Sequence, residues 1–312
     1  MDFLVFFIAL SLLIWGSDIL ISQSEKIALR FNISEYVIGA TLVAVGTSLP
    51  EMAASIAASA ANKPEIAVAN VIGSNIFNIT LVLAAVFIIA KKVNPHRDFF
   101  AKDSSWALFP VLIFILMVLD GSFSRFDGLL LIFLMFAYIL FLFRTGKDIL
   151  LGDNSEEKED LASFSWIKVI LLTLLGFVFV IGGAGYTIES ASIIAKSFGV
   201  SDWIIGIIMI SLGTSMPELM VSITAALKGK ADMAIGAIIG SNMANTTIVL
   251  GSAALVREIH ISPIDYMFDI STMFVATLML VFISANRLYN KPAGISLLIV
   301  LALFLQNMLA SI

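Results

Sequence analysis

Two copies of one short motif carry the residue types best suited to binding a cation. Gly46-Thr-Ser-Leu-Pro-Glu51 recurs as Gly213-Thr-Ser-Met-Pro-Glu218, and both copies lie inside long apolar stretches. A charged side chain near the centre of a bilayer costs at least ~2.5–3.5 kcal/mol, so glutamates at matched positions favour a functional explanation. Carboxylate, hydroxyl and carbonyl oxygens are hard ligands that suit Ca2+ or Na+. The two motifs therefore predict a cation site.

Each motif also predicts an interrupted helix. Pro50 and Pro217 have no backbone N–H and crowd the preceding turn, which leaves nearby carbonyl groups without helical partners. A simple kink is the structural alternative, but a kink does not require a glutamate. We expect the freed carbonyls near these residues: Ala44, Gly46 and Thr47 in the first copy, and Ser211, Gly213 and Thr214 in the second.

A second duplicated motif follows each of the first. Gly73-Ser-Asn-Ile-Phe-Asn78 matches Gly240-Ser-Asn-Met-Ala-Asn245. Thr47 and Glu51 are four residues apart and share one helix face, and the same spacing joins the serine to the last asparagine of the second motif. Each half of the chain thus offers a face of oxygen atoms. Hydrogen bonding between helices is the alternative role for the polar residues Ser74, Asn78, Ser241 and Asn245.

The composition is that of an integral membrane protein. Hydrophobic residues make up 60% of the 312 residues, charged residues only 13%, and the mean hydropathy is +1.03. Such values lie far from those of soluble globular domains. The absence of cysteine excludes disulfides and thiolate metal sites, and a net charge of −5 without a basic patch excludes nucleic acid as a partner.

The apolar segments predict an all-α polytopic protein with ten transmembrane helices. We expect them at about 3–22, 35–60, 66–90, 104–119, 127–145, 166–190, 203–227, 233–256, 265–285 and 292–310. The most polar connector falls midway. It divides the chain into a first five-helix repeat (1–146), an acidic linker (147–165) and a second five-helix repeat (166–312), and the linker itself is interpreted as a solvated connector.

The two halves match at a constant offset of 167 residues through both motifs. Because each half holds an odd number of helices, the second copy enters the membrane from the opposite side, and the repeats are inverted. Inverted repeats that meet at interrupted helices near the midplane are typical of secondary transporters.

Basic residues predict the orientation. With the N-terminus outside, fourteen lysines and arginines fall in inner loops and four in outer loops. The positive-inside rule then places both termini outside and the 147–165 linker in the cytoplasm. His96 and His260 fall in connectors, where neither is expected to act as a ligand or a proton relay.

The doubled motifs resemble the alpha repeats of the cation/calcium exchanger superfamily, and most closely those of prokaryotic sodium/calcium exchangers. Calcium/proton exchangers typically carry Gly-Asn-x-x-x-Glu where this chain has Gly46 to Glu51. The resemblance implies that Glu51 and Glu218 bind both Ca2+ and Na+, and that main-chain oxygens of Thr47 and Thr214 complete the calcium site. It also implies the plasma membrane of a prokaryote.

The resemblance further implies two sodium positions and a central one. The outer position involves the Ser211 carbonyl, Thr214, Ser215, Glu218 and Ser74. The inner position involves the Ala44 carbonyl, Thr47, Ser48, Glu51 and Ser241. Asn78 and Asn245 flank the centre. Potassium-dependent relatives carry aspartate where this chain has Asn245, which argues against potassium dependence.

The function implied is a sodium/calcium antiporter that works by alternating access, with the first and sixth helices sliding against the bundle. Such an antiporter transports Ca2+ and Na+ across a lipid bilayer and needs no cofactor. Because one chain holds both halves of the site, a monomer is expected to function. A calcium/proton antiporter is the first alternative, because neighbouring carboxylates can carry a proton. An intramembrane metal-dependent hydrolase and a passive cation channel are the others.

Overall fold

The computed structural model describes residues 2–90, 93, 95–145, 164–199 and 213–310, and these residues are almost entirely helical. The helices are α1 (Asp2–Phe31), α2a (Glu35–Thr47), α2b (Leu49–Ala60), α3 (Pro64–Ile89), α4 (Phe99–Val118), α5 (Arg125–Thr145), α6 (Trp166–Ser197), α7 (Met216–Leu227), α8 (Ala231–Val256), α9 (Met267–Ala285) and α10 (Lys291–Ala310). Two short strands, β1 (Ser122–Phe123) and β2 (Ile259–His260), pair antiparallel.

These helices match the predicted segments. Eight helices in the described ranges are each long and apolar enough to cross a membrane, and α2a with α2b forms a ninth span bent by 44°. The helix predicted at 203–227 begins outside the described residues, and α7 is its described part. The predicted linker at 147–165 lies almost wholly outside them as well. The helical fold class is confirmed, with two repeats of the same element order.

Two helices are longer than the hydropathy predicted. α1 runs to Phe31 rather than to residue 22, and α6 runs to Ser197 rather than to residue 190. The polar residues in these extensions end the apolar run but do not break a helix, since neither extension contains proline. A 30-residue helix is about 45 Å long, well beyond the ~30 Å hydrocarbon layer.

α1 and α6 pack against each other in opposite directions at a glycine-lined interface. A Cβ atom at Gly16 would lie 2.6 Å from Phe179 Cβ, and one at Gly183 would lie 2.7 Å from the Leu13 backbone nitrogen. Gly16 and Gly183 occupy the same position in the two repeats, so each helix offers its glycine to the backbone of the other. The small residues let these two backbones approach closely.

α2a and α8, which belong to different repeats, also touch through their backbones. A Cβ atom at Gly236 would lie 2.5 Å from the Tyr36 carbonyl oxygen, and one at Gly240 would lie 2.5 Å from that of Ala40. By contrast, a Cβ atom at Gly73, the repeat counterpart of Gly240, would meet nothing within 4 Å in the described structure. This close crossing brings the two duplicated motifs of opposite repeats together at the centre of the bundle.

A buried arginine joins several helices at one end of the bundle. Arg97, between α3 and α4, donates to Asp103 from Nε and from Nη2 at 2.9 Å, and its guanidinium stacks 4.5 Å from the Tyr36 ring centroid. The backbone N–H of Arg97 donates to Asp232 at the start of α8. Burial disfavours the charged form of Arg97, but the contacts with Asp103 outweigh it and raise the pKa of the guanidinium.

The two ends of the bundle can be named from these contacts. The Arg97 face is the end that carries the α1–α2a, α3–α4, α7–α8 and α9–α10 connections, since Tyr36, Asp232 and Arg287 all meet the segment around Arg97. The bridge face is the opposite end, where β1 of the α4–α5 connection pairs with β2 of the α8–α9 connection.

Candidate ion-binding site

The serine of the first motif has the same non-helical backbone conformation in both repeats. Ser48, with φ −85° and ψ 7°, separates α2a from α2b, and Ser215, with φ −87° and ψ 0°, precedes α7. Pro50 and Pro217 lie in the first turn of α2b and of α7, where a backbone N–H would have no helical partner in any case. The break predicted from Pro50 is therefore present, and Ser215 has matching backbone angles just before α7, the residues before Gly213 lying outside the described ranges.

Each glutamate of the motif lies in the first turn of the helix that follows the break. Glu51 is the third residue of α2b and Glu218 the third residue of α7, and their exposed fractions are 1% and 2%. The unpaired N–H groups at a helix N-terminus favour a negative charge nearby. The fold therefore offsets part of the cost of burying each carboxylate.

The two carboxylates have few partners. Within the described part of the chain, neither oxygen of Glu51 nor Oε2 of Glu218 has a hydrogen-bond partner. Oε1 of Glu218 accepts a hydrogen bond from Ser48 Oγ at 3.1 Å, and the two carboxylates are close enough to repel each other. Buried charges are normally paired or hydrogen-bonded, so these unsatisfied oxygens are suited to binding a cation.

The polar contacts around the glutamates cross from one repeat to the other. Ser48 reaches Glu218, the hydroxyls of Ser74 and Thr214 lie 3.5 Å apart, and Ser241 Oγ lies 3.5 Å from the Ala44 carbonyl. The Thr47 hydroxyl donates within its own helix, to the Val43 and Ala44 carbonyls. The two motifs thus form a single site whose halves come from opposite repeats.

The expectation that the Ala44 carbonyl lacks a helical partner is wrong. This carbonyl accepts the Ser48 N–H at 3.0 Å, and the Thr47 hydroxyl lies 3.2 Å away. Its distance of 3.5 Å to Ser241 places it at the contact between the repeats. A carbonyl oxygen has two lone pairs, and this one is shared among several donors in the structure.

Two buried asparagines of the second duplicated motif lie at the start of unusual helical turns. Asn78 opens a π-helical segment in α3 (Asn78–Leu83), and Asn245 opens another in α8 (Asn245–Val249). Asn78 Nδ2 donates to Asn242 Oδ1 at 3.0 Å, whereas both amide atoms of Asn245 lack a hydrogen-bond partner among the described residues. Such π-helical turns are frequently found at functional sites. The hydropathy pattern did not predict these π-helical turns.

Of the residues predicted for the site, Ser211 lies outside the described residues. Side-chain contacts join Ser48 to Glu218, Ser74 to Thr214, and both Thr47 and Ser241 to the Ala44 carbonyl. Asn78 contacts Asn242, and the buried side-chain oxygens of Glu51 and Asn245 have no hydrogen-bond partner among the described residues. Ser215 Oγ is buried and has no partner within the described ranges. His96 contacts Asp232 at 3.1 Å and His260 lies in β2, so both histidines are at connectors as predicted.

The sequence reasoning missed three asparagines that support the site. Asn75 Nδ2 donates to Thr246 Oγ1 at 2.8 Å, and Asn242 Nδ2 donates to the Asn75 carbonyl at 3.3 Å. Asn70 Nδ2 donates to the Glu51 carbonyl at 3.3 Å. Asn75 and Asn242 are the middle residues of the duplicated Gly-Ser-Asn-x-x-Asn motif, so the duplication itself was the signal. The repeat counterpart of Asn70 is Ala237, so the duplication gave no reason to select Asn70.

An aromatic ring of α6 covers the first motif. A Cβ atom at Gly46 would lie 2.0 Å from Phe177 Cε1, so Gly46→Ala is expected to displace the ring. Overpacking of this kind costs about 1–3 kcal/mol. We expect Gly46→Ala to lower the thermal stability of the purified protein, and Phe177→Leu to recover at least half of the loss when combined with it.

The repeat supplies a matched control for this prediction. A Cβ atom at Gly213, the counterpart of Gly46, would have only Ile188 Cδ1 at 3.7 Å near it among the described residues. Gly213→Ala should therefore leave thermal stability close to that of the parent chain. Equal losses for the two alanine variants would contradict the role given to the Phe177 ring.

The fold and the site together define a class of protein. Two inverted repeats, a helix interrupted at the motif, and buried polar residues at the repeat interface are the architecture of secondary membrane transporters. Comparison with known sequences gives the family: the model of the sodium/calcium exchanger protein family matches residues 1–144 and 168–309. The chain belongs to this family and is an integral membrane protein of the transporter class rather than an enzyme.

Individual relatives cover nearly the whole chain. The sodium/calcium exchanger MaX1 of Methanosarcina acetivorans is 29% identical over 97% of this chain and 97% of its own length. The inner membrane protein YrbG of Escherichia coli K12 is 30% identical over 94% of this chain and 91% of its own. A solved structure of the sodium-calcium exchanger NCX_Mj, soaked with zero Na+ and Ca2+, superposes with a TM-score of 0.83 at 30% identity, covering 98% of each chain.

Proposed function

We propose that this protein is a secondary antiporter that exchanges Na+ for Ca2+ across a membrane by alternating access at one site formed by Glu51 and Glu218. The observation that carries the proposal is the buried pair of carboxylates from opposite repeats, with oxygens that have no hydrogen-bond partner among the described residues. The names of the relatives MaX1 and NCX_Mj, both sodium/calcium exchangers, support the same ions.

The charges of the site suit this exchange. Two carboxylates balance one Ca2+ ion, and the neighbouring amides Asn78 and Asn245 add oxygen atoms without adding charge. When no cation is bound, repulsion and desolvation of the two carboxylates oppose closure of the site. A filled site removes that obstacle, so the switch between the two sides requires a bound ion, and the two fluxes are coupled.

We assign the ligands of each ion according to the resemblance to the cation/calcium exchanger superfamily. Calcium is held by Glu51 and Glu218 with the main-chain oxygens of Thr47 and Thr214. One sodium position uses Thr214, Ser215, Glu218, Ser74 and the carbonyl of Ser211; the other uses Thr47, Ser48, Glu51, Ser241 and the carbonyl of Ala44. Asn78 and Asn245 lie between them. The contacts of Ser48 with Glu218 and of Ser74 with Thr214 support these assignments, because each contact joins oxygen atoms of opposite repeats.

The proposal also assigns an arrangement in the membrane. Residues 1–146 and 166–312 are the two repeats, and 147–165 is the linker between them. The Arg97 face is cytoplasmic and both termini are outside, because most lysines and arginines lie in connections at the Arg97 face. The membrane is the plasma membrane of a prokaryote, and one chain works alone because it contributes both halves of the site.

Ion-gradient flux tests the proposal. The protein reconstituted in proteoliposomes should take up radiolabelled Ca2+ when a Na+ gradient directed outward is imposed, and a K+ gradient of the same size should drive none. Uptake driven by a pH gradient without Na+ would instead identify a calcium/proton antiporter, in which the repelling carboxylates carry the proton. Ca2+ flux that depends on no counter-ion would identify a channel, and absence of Ca2+ flux under every gradient would refute calcium transport.

A further inference from the structure

The two repeats are covered differently by the helix pair α1 and α6. α1 packs along α7, whereas within the described residues α6 makes no extended contact with α2b, the repeat counterpart of α7. Because the two repeats match at one offset, we expect a second arrangement of the same bundle. In that arrangement α6 packs along α2b, and α1 no longer packs along α7. The present arrangement is therefore the one in which α1 closes the half of the bundle toward the Arg97 face.

Two lysines tie α1 to the end of α7 at that face. Lys228 Nζ lies 2.6 Å from Asp18 Oδ1 and also donates to Ser22 Oγ at 2.9 Å. Lys230 pairs with Glu25 of α1, and with Glu35 at the start of α2a at 2.8 Å. Both lysines belong to the short connection between α7 and α8. They hold the cytoplasmic part of α1 against the second repeat.

The repeat counterparts of these residues cannot build the same contacts. At the offset of 167, Asp18 corresponds to Gly185, Glu25 to Ser192, and Lys228 to Ala61. Lys63 does match Lys230, Asp202 matches Glu35, and Glu189 matches Ser22, so the corresponding positions of the opposite end hold one lysine and two carboxylates in place of two lysines and three carboxylates. The exchanged arrangement therefore forms fewer ion pairs between its covering helix and its repeat.

We propose that Lys228 and Lys230, paired with Asp18 and Glu25, form a latch that favours the arrangement closed at the Arg97 face over the exchanged one. This inference rests on the proposed function, since it concerns the two arrangements between which an alternating-access transporter moves. Partly exposed ion pairs are weak, and two of them shift a two-state equilibrium by roughly threefold to tenfold. The latch therefore biases the equilibrium without blocking the exchange.

The chain has no cysteine, so single-cysteine reporters can test the latch directly. Ala226 is buried in α7 at the covered half, and its repeat counterpart Ser59 is buried in α2b. We expect Asp18→Asn with Glu25→Gln to raise the maleimide labelling rate of an Ala226→Cys reporter in detergent-purified protein about threefold to tenfold. The labelling rate of a Ser59→Cys reporter should not rise.

A matched control removes two carboxylates at the opposite end. Glu258→Gln with Asp265→Asn changes the net charge equally at exposed positions of the bridge face, and it should alter neither labelling rate. An unchanged rate at Ala226→Cys in the latch variant would overturn the proposal. A rise at both reporters would also overturn it, because the ion pairs would then support folding as a whole. Absence of Na+-driven Ca2+ uptake in the parent chain would refute the proposed function, while the labelling rates would still report on the latch.

Discussion

Glu51→Gln or Glu218→Gln is expected to abolish Na+-driven Ca2+ uptake in proteoliposomes. Glutamine keeps the size of the side chain and removes its charge, so one carboxylate would face a divalent ion alone. Removing one partner of a buried charge pair costs about 3–5 kcal/mol, which corresponds to a loss of at least about a hundredfold in binding. The initial rate of radiolabelled Ca2+ uptake measures the effect.

The loss should be specific to the site. Both glutamates lie in the first turn of a helix and have at most one hydrogen bond each to described side chains, so the amide variants should still fold. Glu65→Gln, at an exposed glutamate in the first turn of α3, provides the control and should transport normally. Uptake at the parent rate in both site variants would show that the ions bind elsewhere.

Asp103→Asn is expected to produce the largest loss of stability among single substitutions. Asp103 and Arg97 are both buried and are joined by two hydrogen bonds, so the variant leaves the guanidinium without its counter-charge. The expected cost is about 3–5 kcal/mol. Arg97 also contacts Tyr36 of α2a and Thr145 of α5, so the loss should spread to the Arg97 face as a whole. Thermal unfolding of the purified protein measures it.

Two further variants separate the ion pair from general effects of the substitution. Asp98→Asn makes the same chemical change at an exposed residue five positions away, where asparagine can still cap α4, and it should be nearly neutral. Arg97→Met combined with Asp103→Leu removes both charges and should cost less than Asp103→Asn alone. A double variant that is less stable than the single one would contradict the view that the unpaired charge causes the loss.

Local patterns in the sequence identified most of the helices and the centre of the site. Apolar runs located the spans because a membrane helix must satisfy its own backbone and bury apolar side chains. The duplicated glutamates stood out because a carboxylate is costly in such a run. The ends of α1 and α6 were predicted too early, since hydropathy records where apolar residues stop and not where the helix ends.

Contacts between residues that are distant in the chain could not be predicted from local sequence patterns. In the sequence, Asp103 is simply a polar residue before an apolar run. Its burial depends on Arg97 and on Tyr36 and Tyr138, which belong to other helices. Lys228 and Lys230 likewise look like ordinary loop charges in the sequence, because their partners in α1 are distant in the chain. Asn70, Asn75 and Asn242 joined the site only when α2b, α3 and α8 were placed side by side.

The sequence by itself determined that two oxygen-rich motifs lie in oppositely oriented repeats, because duplication, apolar length and an odd helix count are properties of the chain read in order. Only the tertiary structure decided which oxygens meet. Ser48 reaches Glu218 across 170 residues, and Ser74 lies beside Thr214 across 140. Such pairings depend on how closely helix backbones approach, and here glycines at Gly236 and Gly240 let α8 lie directly against α2a.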